Sequence, residues 1–107
     1  MSASKFTTLE LWNKRYGKKE EVTDYAGRLM KKSACGNPAS QYHPTIDHIR
    51  PLAKDGEDIE GNIEICHRST NAEKADTFST WKTNGRTFQA KRTRGKKGAY
   101  HIVEIEQ

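Results

Sequence analysis

Residues 46–76, Ile-Asp-His-Ile-Arg-Pro-Leu onward to Asp76, hold the side chains with most chemical potential in this sequence. Asp47 and His48 are adjacent, and Asn62, Asn71 and Lys74 follow in order. Histidine alone titrates near neutrality without special perturbation, so His48 is the natural general base for an attacking water. Asp47 offers a carboxylate and Asn71 an amide oxygen. A hard divalent ion such as Mg2+ takes oxygen donors of this kind and keeps several of its own waters. An ion held there would act as a Lewis acid and steady a leaving oxygen. Each residue taken singly has an ordinary structural explanation, and only the joint order and spacing point to a site.

That order has surroundings of its own. Ile49-Arg50-Pro51-Leu52 follows the Asp-His pair, Lys54-Asp55-Gly56-Glu57-Asp58 makes a polar turn, Asn62-Ile63 precedes an apolar alternation, and Asn71 stands three residues before Lys74. The whole set resembles the HNH endonuclease family over residues 46–76. The resemblance implies hydrolysis of DNA phosphodiester bonds on a ββα-metal core. His48 would be the general base, Asp47 and Asn71 ligands of Mg2+ or Mn2+, and Asn62 an orienting catalytic residue. The last His of the family's pattern is Asn71 here, an Asn-ending variant, and an amide oxygen favours hard ions over zinc. Many members also brace the fold with zinc held by two Cys-x-x-Cys pairs. Cys35 and Cys66 begin no such pair, so no structural zinc is expected.

The elements that must position these residues can be read from pattern. Phe6, Thr7, Glu10 and Leu11 carry a capping box and a hydrophobic staple, which predicts a helix ending at Gly17. Val22, Tyr25, Ala26 and Leu29 recur at helical spacing and predict a second helix from Glu20 to about Ala34. Thr45–Ile49 and Asn62–Cys66 read as short strands, and Thr70 with Glu73 predicts a short helix running to about Asp76. Thr87–Arg94 and Ala99–Glu106 read as strands of a hairpin around Gly95-Lys96-Lys97-Gly98. The expected fold is α+β in a single domain: a helical flank over 1–36, the ββα-metal core over 44–76 and a basic hairpin flank over 77–107. One difficulty stands out. Neighbouring strand residues point to opposite faces, so Asp47 and His48 can share a site only where the strand bends or ends.

Charge separates along the chain as these three parts do. Net charge is +4 over residues 1–35, −4 over 36–76 and +5 over 77–107, within a total of +5. Basic ends around an acidic centre suggest arms that hold a polyanion. Lys91, Arg92, Arg94, Lys96 and Lys97 are the expected contacts to the backbone of DNA, double-stranded by expectation, and Lys74 and Arg68 are expected to touch phosphates beside the motif. No run approaches the about 18 apolar residues of a membrane span. The first ten residues also lack a secretory signal, which leads us to expect a cytoplasmic protein without a membrane partner. One site cuts one strand, so double-strand cleavage would call for a homodimer or a partner protein. The rival readings are a non-catalytic nucleic-acid-binding module and the cutting subunit of a larger defence, packaging or mobile-element complex.

Overall fold

Thr7 begins the first ordered element of the computed structural model, which describes residues 4–106. The Glu10 N–H donates to Thr7 Oγ1 and the Thr7 N–H to Glu10 Oε1, each at 3.2 Å, closing the capping box. Helix α1 (Thr8–Tyr16) follows and ends where Gly17 takes φ 61°. It buries Leu11 and Trp12 in a core with Met30, Ile63 and Ile65, and Phe6, Tyr16, Val22, Cys35 and Ile46 pack around them. The Trp12 indole satisfies its N–H by donating to the Lys19 carbonyl at 2.8 Å.

The helix expected over Glu20–Ala34 does not form. In its place strands β1 (Glu21–Thr23) and β2 (Leu29–Lys31) pair antiparallel, and a single 3-10 turn covers Lys32–Ala34. The reason lies in Asp24, whose Oδ1 accepts the N–H groups of Ala26 at 3.0 Å and Arg28 at 2.9 Å. A carboxylate that satisfies its own neighbours' backbone in this way nucleates a turn and competes with helix. The helical spacing of Val22, Tyr25, Ala26 and Leu29 is coincidental. Val22 joins the first core, while Tyr25 and Ala26 join a second one.

Strands β3 (Pro44–His48) and β4 (Ile63–His67) pair antiparallel, with Asp47 opposite Glu64 and His48 opposite Ile63. Helix α2 (Arg68–Lys74) leaves β4 without a loop. It starts earlier than Thr70 because His67 is its cap, Nδ1 accepting the Ser69 N–H at 3.0 Å. Thr70 is buried instead, its hydroxyl donating to Asp24 Oδ2 at 2.6 Å.

The C-terminal part holds three strands where two were expected. Strands β5 (Thr80–Thr83), β6 (Arg86–Arg92) and β7 (Tyr100–Ile105) form one antiparallel sheet in that order. Asn84 and Gly85, at φ 52° and 73°, make the tight β5–β6 connection. Trp81 and Phe88 from this sheet close over Ala26 as the second core, with Tyr25, Ala90 and Ile102 at its edge. Among the described residues no helix is long and apolar enough to cross a membrane.

Candidate active site

A cleft of about 1030 Å3 runs between the end of β3, helix α2 and the first residues before α1, lined in part by Phe6, Asp47, His48, Arg68, Asn71 and Asp76. Asp47 and His48 both reach it because His48 is the last residue of β3 and the chain bends away after it. Asp47 is buried and has one oxygen, Oδ2, with no hydrogen-bond partner among the described residues. Burial pushes its carboxyl up to about 6, against the lowering pull of the Lys74 ammonium and of His48. Asn71, on the cleft-facing side of α2, gives its amide N–H groups to Thr45 Oγ1 at 3.0 Å and the Ile46 carbonyl at 3.4 Å. Its amide oxygen takes part in neither bond. His48 Nε2 lies 2.8 Å from Asp58 Oδ1.

Two expected roles need correction. Lys74 cannot touch a phosphate from where it stands, because it is 0% exposed. Its ammonium donates to the His48 carbonyl at 3.1 Å, lies 3.3 Å from Asp47 Oδ2 and sits 5.1 Å from the centre of the Trp81 ring. It braces the last two residues of β3 from beneath. Asn62 does not line the cleft and cannot contact reacting atoms, being 0% exposed. Its Oδ1 accepts the Arg50 N–H at 2.9 Å, and its Nδ2 donates to the carbonyls of Arg50 at 3.1 Å and Glu57 at 2.8 Å. These bonds shut the loop between β3 and β4, so Asn62 orients the site from a distance.

The basic residues divide. Arg68 is exposed and lines the cleft, with Nη1 donating to the Pro38 carbonyl at 2.7 Å. Lys91, Arg92, Arg94, Lys96 and Lys97 are exposed on β6 and the turn after it, and none of them lines the cleft. His43 and His67 are both turned to backbone carbonyls, of Ala34 and Gln41. Cys66 is fully buried, which pushes its thiol up, and Cys35 packs beside the first core. Among the described residues no three His, Cys, Asp or Glu side chains gather as a metal group.

Pattern reading missed several residues that hold the site in place. Asp24 accepts from Ala26, Arg28, the His67 N–H at 2.9 Å and Thr70, which ties the β1–β2 turn to the start of α2. Arg28 donates to Thr70 and Thr83 hydroxyls and pairs with Glu73 at 2.8 Å. Asp58 is the third, and its place in the loop opened by Lys54 was the only sequence signal for it. Asp76, the fourth, lines the cleft and works to raise the Asp47 carboxyl.

A carboxylate and an uncommitted amide oxygen lining one cleft are donors of the kind a hard divalent ion takes. Asp47 and Asn71 therefore fit such an ion, with water and substrate left to complete its shell. Residues 33–77, which contain all of these cleft side chains except Phe6, match the family model of the HNH endonuclease. HNH proteins are nucleases, act on nucleic acid and typically use a divalent metal. No curated protein and no solved structure matches the chain.

Proposed function

We propose that this chain, an HNH nuclease segment over residues 33–77 with flanks on either side, is a metal-dependent endonuclease that hydrolyses DNA phosphodiester bonds. The observation that carries the reading is the meeting of Asp47, His48 and Asn71 on one cleft, with the Asp47 carboxylate buried and held from beneath by the Lys74 ammonium. His48 takes the proton of the attacking water as it adds to phosphorus, and the 3′ oxygen departs on the far side. Asp47 and Asn71 would hold Mg2+ or Mn2+, which supplies Lewis acidity and charge for the departing oxygen. Arg68, on the cleft wall, steadies the phosphate. The exposed cations of β6 and its following turn supply salt-sensitive backbone contact along a duplex, without reading sequence.

A plasmid-nicking assay with Mg2+, Mn2+ or EDTA tests this directly. Nicking that needs the metal and falls by about 100-fold or more in His48→Ala, the span expected of a general base, supports the assignment. A His48→Ala protein that nicks as fast as the parent removes His48 from the chemistry. Metal-independent DNA binding without any cleavage favours the non-catalytic binding module.

A further inference from the structure

We propose that Asp58 is a positioning residue for His48: its carboxylate holds the imidazole in the Nε2–H form and leaves the Nδ1 lone pair as the basic nitrogen of the cleft. This rests on the reading of His48 as general base. The contact is 2.8 Å long between side chains that are 10% and 22% exposed, the short range of a charge-assisted hydrogen bond. An ionised carboxylate can only accept, so the ring nitrogen facing it must carry the hydrogen. Neutral imidazole has one N–H, and the other nitrogen then keeps its lone pair.

Asp58 is itself held in its ionised form and in place. Its second oxygen, Oδ2, accepts the Lys5 N–H at 2.7 Å. Partial desolvation works to raise its carboxyl, yet the bonds from Lys5, His48 and Ser4 outweigh this and hold it at about 2. The residue just before it, Glu57, has its carbonyl pinned by Asn62 at 2.8 Å. Two residues earlier, a Cβ on Gly56 would stand 1.8 Å from the Arg50 carbonyl oxygen, so the loop closes at a distance only glycine permits. Asn62 and Gly56 thus set the loop, the loop sets Asp58, and Asp58 sets the ring. The buried Asn62 acquires a purpose that its distance from the cleft would not suggest.

The decisive measurement uses the whole chain with 15N-labelled histidine, stripped of metal with EDTA, and reads His48 by long-range 1H–15N spectra where the ring is neutral. The wild type is expected in the Nε2–H form. Asp58→Ala is expected to show a tautomer mixture and Asp58→Glu to restore Nε2–H at least in part. A wild-type ring protonated at Nδ1 overturns the proposal, and so does an Asp58→Ala spectrum unchanged from the parent. Asp58→Asn, nearly identical in shape, guards against loss of the fold and serves the kinetic arm. Because Asp58 acts only through His48, its loss costs part of the about 100- to 10,000-fold that a general base supplies, and it costs kcat rather than KM. Asp58→Asn in a His48→Ala background should then cost nothing further, and losses that simply multiply overturn the proposal. A wild type that nicks no DNA refutes the endonuclease reading and leaves the tautomer result standing. An Nδ1–H ring refutes the dyad however well the protein cuts.

Discussion

Replacing Lys74 by methionine keeps most of the side-chain volume and removes one buried charge. Lys74 is 0% exposed and Asp47 is 6% exposed, so the loss leaves a carboxylate without its cation in a dry place and the His48 carbonyl without its donor. Breaking a buried pair from one side costs about 3–5 kcal/mol. Asp47 can soften this by taking a proton, since burial already brings its carboxyl up to about 6 from an ordinary 3.8. We therefore expect the lower end, about 3 kcal/mol near neutral pH, which for a chain of this size lowers Tm by about 12 °C or more. The pH dependence has a definite sign. A carboxyl raised by folding binds more protons in the native state, so its contribution falls as pH rises from the unfolded value to the folded one. Without Lys74 the folded value climbs further, and the decline runs on into neutral and alkaline pH. The variant should lose more relative to the parent near pH 8 than near pH 5. Urea unfolding in EDTA across that range measures it, alongside Asp47→Asn and the double variant. A loss under about 1 kcal/mol, no growth of the loss with pH, or full additivity with Asp47→Asn would refute the pairing.

Glu73 gives a second pH signature of opposite sign. Its carboxyl is held at about 2 rather than 4.5, first by the Thr83 hydroxyl, then by Arg28 and the Asn84 N–H. Its stabilisation is complete above the unfolded value and lost as pH falls toward the folded one, so Glu73→Gln should flatten the acid limb of the unfolding curve below about pH 4.5. An unchanged limb removes Glu73 from acid stability. Changing Lys91, Arg92 and Arg94 together to alanine should weaken DNA binding at low salt and reduce the slope of log K against log salt by about 3. An unaltered slope would make that end of β6 and its turn merely solvated.

How much of this was readable in advance depends on how local each cause is. Helix α1 was, because Thr7, Glu10 and Leu11 interact within one turn of chain. Strands β3 and β4 were too, since Ile63 and Ile65 alternate in β4 and Pro51 closes the short run that holds β3. The β1–β2 hairpin was not. Asp24 makes its turn with local bonds, but its second oxygen is set by His67 and Thr70, more than forty residues away. A helical periodicity among four apolar residues therefore outweighed it on the page. Strand β5 went unread although Asn84-Gly85 announced a hairpin, because only Trp81 of its four residues is large and apolar. At the cleft, the types and order of Asp47, His48 and Asn71 carry their own meaning. Lys74 misled because a lysine near a nuclease motif suggests phosphate, whereas its burial follows from Trp81 and from a strand end twenty-six residues before it. Asp58 was hidden in a turn whose polar composition explains itself without any partner.

The Asp24 hub has a consequence for what counts as a unit here. The family match covers residues 33–77, but Asp24, Leu11, Trp12 and Met30 lie before it and Trp81 after it. A fragment cut at those borders would strand the Thr70 hydroxyl and the His67 N–H without their acceptor. It would also uncover Ile63 and Ile65 and strip the aromatic cover from the Lys74 ammonium. The borders of the match mark a resemblance, and the borders of stability run elsewhere. The matched motif stands only by means of the two segments that lie outside it.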